Sequence, residues 1–406
     1  MLAGYLKVKR MVTNALAHPV EEVAHERLRL RLLFTVAFLK LFNFIGGAWD
    51  IQWHVAIGRD SLFIPPHMLV FIAFIGGVAL VLAMIAYESG LATAGQVQAH
   101  TVKIGPFRAT GEVFAILFGY SFALLSAGVD EMWHRIFGID ATLWSPPHLM
   151  IMAATVVVDF SLLLGITASA RRLGYGFKWN SPLFWGVLLV GAYAFESVNF
   201  QMGEAFIVGY RNRGLGLYGL LFPMMVGVML PLSLMTIVRI TRRFWMGLLI
   251  LALTISLQFL ATGVSAAGFA MLKPVSVIDE YVRQNPESTA AVTRQFASLL
   301  GFNGLIGFHQ AWTMSLAAPA LALVALLQLI PWARRHPIVA APVFSVGMVV
   351  LSYVWFQFVP ALQQYPISAL DVCVAAAISG AGGLIMGDLG QRLAKWIEEP
   401  ESEMLP

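Results

Sequence analysis

Ten stretches of this chain run for about twenty residues or more with almost no charge, and nothing else limits its fold as strongly. A helix needs about 20 apolar residues to cross the hydrocarbon core of a bilayer. The stretches lie near 32–56, 66–89, 109–137, 147–170, 182–202, 215–238, 244–268, 309–332, 338–358 and 369–391. In lipid, backbone polar groups must be satisfied within the spanning segment, so each stretch is expected to be a helix. With 59% hydrophobic and 12% charged residues and a mean hydropathy of +0.77, the chain lies outside the range of soluble domains. The expected fold is all-α: a polytopic transmembrane helical bundle of about ten spans. Residues 1–31 read as an amphipathic cytoplasmic lead-in and 32–171 as a region built on a repeated motif. Residues 172–268 form central spans, 269–308 an outer loop with a short helix, and 309–406 the last spans and a short tail.

Charge gives the expected orientation. Of 26 Lys and Arg residues, 18 fall in segments that are inner if the N-terminus is inner, seven fall in the alternate segments, and Lys40 lies within a span. Cytoplasmic loops carry the excess of Lys and Arg, so both termini are expected in the cytoplasm and the chain in the plasma (inner) membrane. The net charge of +4 is scattered over short loops, which argues against a nucleic-acid partner. Residues 1–31 are too charged to supply the apolar core of a signal peptide. The single cysteine, Cys373, excludes an intrachain disulfide and is expected to be a small buried apolar residue.

Against this apolar background one polar pattern occurs twice. Residues 49–69 read WDIQWHVAIGRDSLFIPPHML and residues 129–150 read VDEMWHRIFGIDATLWSPPHLM. Both run Asp-x-x-Trp-His, then Gly-x-Asp, then Pro-Pro-His. Asp50 and His54 are four apart, as are Asp130 and His134, so each pair shares a helix face. His67 and His148 follow Pro-Pro, a helix-opening signal. Each helical hairpin therefore offers two imidazoles and a carboxylate with coordination positions to spare. That donor set suits copper, zinc or non-haem iron, one or two ions per chain. Gly58 and Gly138 suit tight turns. Asp60 and Asp140 are expected to organise the turns or to accept from ligand histidines.

The motif resembles the signature of the C subunit of copper membrane monooxygenases, the particulate methane and ammonia monooxygenases. That subunit has Asp-x3-His-x12-His with Trp before the first His, and Arg-Asp, Phe and Pro before the second. Here these are Asp50, Trp53, His54, Arg59, Asp60, Phe63, Pro65 and His67. The family's second set has spacings x3 and x13, which Asp130, His134 and His148 reproduce with Asp where the family has Asn. The resemblance covers residues 30–171 and extends toward 243, and the last four spans lie beyond it. It implies two copper sites in the membrane, oxygen activation, other membrane subunits or a homo-oligomer, and an external electron donor. Asp130, His134 and His148 are then expected to be the catalytic set, with Trp53, Trp133 and Glu196 supporting the ligands. The competing expectations are a metal- or proton-coupled transporter and a non-catalytic assembly subunit clamped by metal.

Other polar residues lie within or near the spans. Lys40 and Asp159 fall at similar depth and are expected to form a buried ion pair or a proton relay. Glu196, Asn199 and Glu204 are read as a further ligand or proton donor, or as interfacial residues. His309 is read as interfacial, and Glu88 and Glu112 as facing headgroups. Asp371 in Ser-Ala-Leu-Asp has a capping-box pattern, and Pro286 precedes an expected helix start.

Overall fold

The computed structural model describes the backbone of residues 2–58, 61–98, 100–138, 142–302 and 306–395, and among these the side chains from residue 22 onward except 306–310. Among the described residues, ten helical segments are long and apolar enough to cross a membrane. Helix α1 (Leu2–Ala56) is followed by α2 (Pro65–Thr93), α3 (Gly111–Phe137), α4 (Pro146–Arg172) and α5 (Pro182–Met202). Short α6 (Glu204–Arg211) and α7 (Gly216–Gly219) lead to α8 (Leu221–Thr241) and α9 (Met246–Leu272). Next come α10 (Ile278–Gln284), α11 (Thr289–Leu299), α12 (Ile306–Ser315) and α13 (Ala318–Leu326). The chain ends with α14 (Pro331–Arg335), α15 (Ala340–Phe356), α16 (Pro360–Gln363) and α17 (Ala369–Lys395). Helix α1 packs on α2, α4 and α9, α3 on α2 and α4, and α5 on α4, α8 and α9, while α17 lies along α8 and α15.

Local chemistry sets the helix ends. Proline occupies the first turn of α2, α4 and α5, where a missing N–H costs no intrahelical bond. Thr110, Ser181 and Ser288 accept from the N–H groups of Val113, Phe184 and Ala291 and so cap α3, α5 and α11. The start of α11 lies three residues past Pro286. Ser368 and Asp371 cap α17 reciprocally: Asp371 N–H donates to Ser368 Oγ at 3.2 Å and Ser368 N–H to Asp371 Oδ2 at 2.8 Å.

The fold departs from the sequence reading in four places. A two-stranded antiparallel hairpin, β1 (Val102–Ile104) and β2 (Phe107–Ala109), interrupts the all-α pattern, because Gly105-Pro106 turns the chain between two β-prone triplets. The span expected over 309–332 is interrupted by a turn at Leu316 and Ala317, between α12 and α13. Cys373 is exposed, since α17 buries its small-residue face against α8 and turns the other face outward. Glu88 does not face headgroups but is fully buried. Helix α1 runs unbroken through residues 22–31, and its turn at His25, Glu26 and Arg29 packs against the end of α2. Arg29 donates to Glu88 Oε1 from Nε at 3.0 Å and Nη2 at 2.8 Å, and His25 Nε2 lies 3.1 Å from the same oxygen. Glu26 pairs with Arg29 from the other side and with Arg172 of α4 at 3.5 Å.

Removing one partner of a buried pair leaves an uncompensated charge. Glu88→Ala is therefore expected to destabilise the bundle by about 3–5 kcal/mol, and Glu88→Gln by less. Both are measured by denaturation of the purified protein in detergent; an unchanged midpoint for Glu88→Ala would remove this cluster from the stabilising contacts.

Candidate metal centre

Each motif folds as the end of one helix, a tight turn and the proline start of the next. Asp50 and His54 lie in the last turns of α1, and His67 in the first turn of α2. Asp130 and His134 end α3, and His148 begins α4. Gly58 and Gly138 have φ of +75° and +82°, a region that side chains with a Cβ rarely enter.

The two triads have nearly the same dimensions. Asp50 Oδ2 lies 3.6 Å from His54 Nε2 and Oδ1 lies 3.2 Å from His67 Nε2. Asp130 Oδ2 lies 3.5 Å from His134 Nε2 and Oδ1 lies 3.3 Å from His148 Nε2. Within each triad one donor atom per residue lies within 4.8 Å of the others. Metal–ligand bonds of about 2.0–2.1 Å in a tetrahedral shell place ligand atoms about 3.3–3.4 Å apart. The observed separations straddle that value.

The outer ring nitrogens also favour a cation. His67 Nδ1 lies 3.0 Å from the Ser61 carbonyl, His148 Nδ1 2.6 Å from the Thr142 carbonyl, and His134 Nδ1 3.2 Å from the Gly138 carbonyl. A carbonyl only accepts, so each Nδ1 carries the proton and Nε2 of the neutral ring is a lone pair. In the second triad both Nε2 atoms then face a carboxylate. Protonating both rings would bury two imidazolium ions against one carboxylate, at several kcal/mol per ion. A divalent ion satisfies all three groups at once. The residues present thus fit a metal.

The triads form one cluster. The His54 ring stacks on that of His134 at 5.7 Å between centroids and 15° between planes. His148 lies 6.3 Å from His54 and 6.2 Å from His134. A cavity of about 220 Å³ opens beside them, lined by Asp50, His54, His67, Asp130 and His148. Its apolar wall includes Val70, Phe71, Phe74, Ile151 and Met152.

Lys40, Glu196, Asn199 and Glu204 line the same cavity. Lys40 Nζ lies 3.0 Å from Asp159 Oδ1, and Ser197 Oγ donates to Asp159 Oδ2 at 2.6 Å. Gln258 Nε2 donates to Glu196 Oε1, while Thr313 Oγ1 donates to Asn199 Oδ1 at 3.1 Å. Trp53 packs on Phe269 of α9, with centroids 5.8 Å apart and planes at 17°. Trp133 stays on its own helix against Phe137. Neither indole is among the residues lining the cavity. Asp60, Asp140 and Arg59, and the side chain of His309, lie outside the described residues. The sequence reading missed Glu131, which stands beside Asp130 in the motif, and Gln258, whose one signal is an amide within an apolar span.

The segment after α9 covers the end of α1. Ser276 Oγ donates to the Ala56 carbonyl at 2.9 Å, Val277 N–H to Ile57 at 2.8 Å and Arg294 Nε to Val55 at 2.8 Å. Arg294 also holds Asp279, with Nη1 2.7 Å from Oδ1. No protein-family model matches the chain, and neither does any curated protein or solved structure.

The hydrogen bond from Arg294 lowers the Asp279 carboxyl below its usual range. A depressed carboxylate stabilises above the unfolded value of about 3.9 and loses that contribution as pH falls through the folded value. Protection of the 276–294 amides, relative to the intrinsic exchange rate at each pH, is therefore expected to fall below about pH 4. Asp279→Asn should show the lower protection already at pH 7 and lose the acid step. A segment equally protected at pH 3 and pH 7 would exclude this contact as a tether.

Proposed function

We propose that this chain is a membrane-embedded, copper-binding oxidoreductase subunit related to the C subunit of copper membrane monooxygenases, its duplicated hairpins placing two metal sites near the outer face. The observation that carries this reading is the pair of matching Asp/His/His triads with His54 stacked on His134 beside a single cavity. Asp50, His54 and His67 hold one ion, and Asp130, His134 and His148 the other. Copper bound there supplies one-electron chemistry toward dioxygen, and zinc or iron would suit the same donors with different reactivity.

The chain's own part is orientation, charge balance and exclusion of water. Backbone carbonyls aim the Nε2 lone pairs of His67, His134 and His148 inward. The two carboxylates offset the charge of the ions. The wall of Phe71, Phe74, Ile151 and Met152 keeps the cavity apolar, so it favours a small, weakly polar substrate. Glu196 takes a hydrogen bond on Oε1 from Gln258, which leaves Oε2 to carry a proton to or from the cavity. The 3.0 Å contact of Lys40 with Asp159 supports a fixed ion pair beside that cavity rather than a relay. Electrons come from an external donor.

Metal analysis of the purified chain with X-ray absorption is the primary test. Copper on nitrogen and oxygen ligands is expected, with reductant-dependent oxygen consumption by the loaded protein. His54→Ala and His134→Ala are each expected to remove about one metal equivalent. No metal after reconstitution would overturn the reading. Copper flux into liposomes without oxygen consumption would turn it to transport.

A further inference from the structure

Both hairpins carry a contact that the triads themselves do not require. In the first, one peptide unit is held from both sides. The Ser61 carbonyl accepts from His67 Nδ1 at 3.0 Å, and the Leu62 N–H of the same unit donates to Glu131 Oε2 at 3.2 Å. In the second, the Thr142 carbonyl accepts from His148 Nδ1 at 2.6 Å, and the Leu143 N–H donates to Glu204 Oε2 at 3.1 Å. The order carboxylate, peptide, imidazole is the same. The carboxylates are not equivalent in sequence: Glu131 follows Asp130 on α3, whereas Glu204 opens α6. The position matching 131 in the first motif is Ile51. Copying of the motif therefore does not explain the shared arrangement.

We infer that Glu131 and Glu204 are positioning residues for His67 and His148, each acting through the intervening peptide unit. A carboxylate on the N–H side draws charge toward the carbonyl oxygen, and hydrogen bonds in a chain strengthen one another. The carbonyl then holds the Nδ1–H more tightly. That fixes the tautomer and the ring plane and makes Nε2 a better donor, as a carboxylate bound directly to a ligand histidine does. Arg135 Nε holds Glu131 Oε1 at 2.7 Å, and Glu204 is buried at 5% exposure beside the cavity. The arrangement also links the sites. His67 of the first triad is aligned by the helix that carries Asp130 and His134, so filling either site restrains the other.

The metal-affinity consequence rests on the proposed metal sites, whereas the ring alignment does not. Two readouts separate them. The first uses metal-free full-length protein in lipid, labelled with 15N-histidine, and follows the Nδ1–H resonances of His67 and His148 at fixed pH. Glu131→Gln, which keeps size and an acceptor but removes the charge, is expected to shift the His67 signal upfield and leave His148 unmoved. Glu204→Gln should do the converse. Both signals unmoved, or both moving in each variant, overturns the relay whatever the metal content. The second readout is Cu(II) affinity by chelator competition, with His134→Ala isolating the first site and His54→Ala the second. Glu131→Ala is expected to weaken the first site about 10–100-fold with little effect on the second, and Glu131→Gln to recover part of the loss. Full recovery by Gln would make the residue a structural acceptor only and overturn the electronic part of the proposal. Absence of copper binding in the parent protein would count against the metal sites alone, with the resonance test deciding the relay.

Discussion

A charge buried among apolar helices must find a partner, and this one constraint organises the bundle at three depths. Helix α1 contributes to all of them. Its Arg29 meets Glu88 of α2, its Lys40 meets Asp159 of α4, and its Asp50 meets His67 of α2. Arg29 and Lys40 are eleven residues apart and Lys40 and Asp50 ten, each close to three helical turns. The three groups therefore fall near one face of α1, toward α2 and α4. A slip of α1 by one residue would break all three contacts at once. With several kcal/mol at stake for each uncompensated ion, the contacts fix a register that apolar packing alone leaves loose. The first triad therefore sits at the end of a helix already held at two other depths.

What was legible in the sequence was local. The ten apolar spans were readable because the length needed to cross a bilayer is a property of each segment. The Ser368–Asp371 cap and the helix beginning at Thr289 follow from patterns a few residues long. The members of each triad lie within nineteen residues of chain, so helical spacing and Pro-Pro were enough to bring Asp50 to His54 and His67. The stacking of His54 on His134 was not legible, because it depends on how two hairpins pack. The same holds for the far side of the cavity, where Glu196 of α5 meets Gln258 of α9 and Asn199 of α5 meets Thr313 of α12, 62 and 114 residues apart in the chain. Glu88 was misplaced for a related reason. Its position near a helix end suggested headgroups, but the 22–31 stretch of α1 continues as helix and covers it.

The two hairpins differ in how their outgoing helices end, and burial accounts for the difference. At the end of α1, Trp53, Val55 and Ile57 are buried. The last carbonyls of a helix have no intrahelical partner, and water cannot serve them there. The segment after α9 supplies the donors instead: Ser276 to Ala56, Val277 to Ile57 and Arg294 to Val55. Arg294 adds a positive charge where the helix dipole is negative. At the end of α3, Ile136 and Phe137 are 67% and 64% exposed, so that end faces outward and needs no such cover among the described residues. The position of residues 276–294 is thus a consequence of burying the first triad's helix end. Because α1 is already pinned at Arg29 and Lys40, closing its last turn holds the Asp50 and His54 half of the first triad. His67 arrives in the first turn of α2, its ring bonded to a loop peptide that Glu131 holds from the other side. In the second triad Asp130 and His134 lie on a helix with an open end, and His148 lies in the first turn of α4, its ring bonded to a loop peptide tied to buried Glu204. Two triads of nearly equal dimensions therefore rest on different supports, the first on a helix pinned at two depths and closed at its end, the second on a helix whose last turn is open.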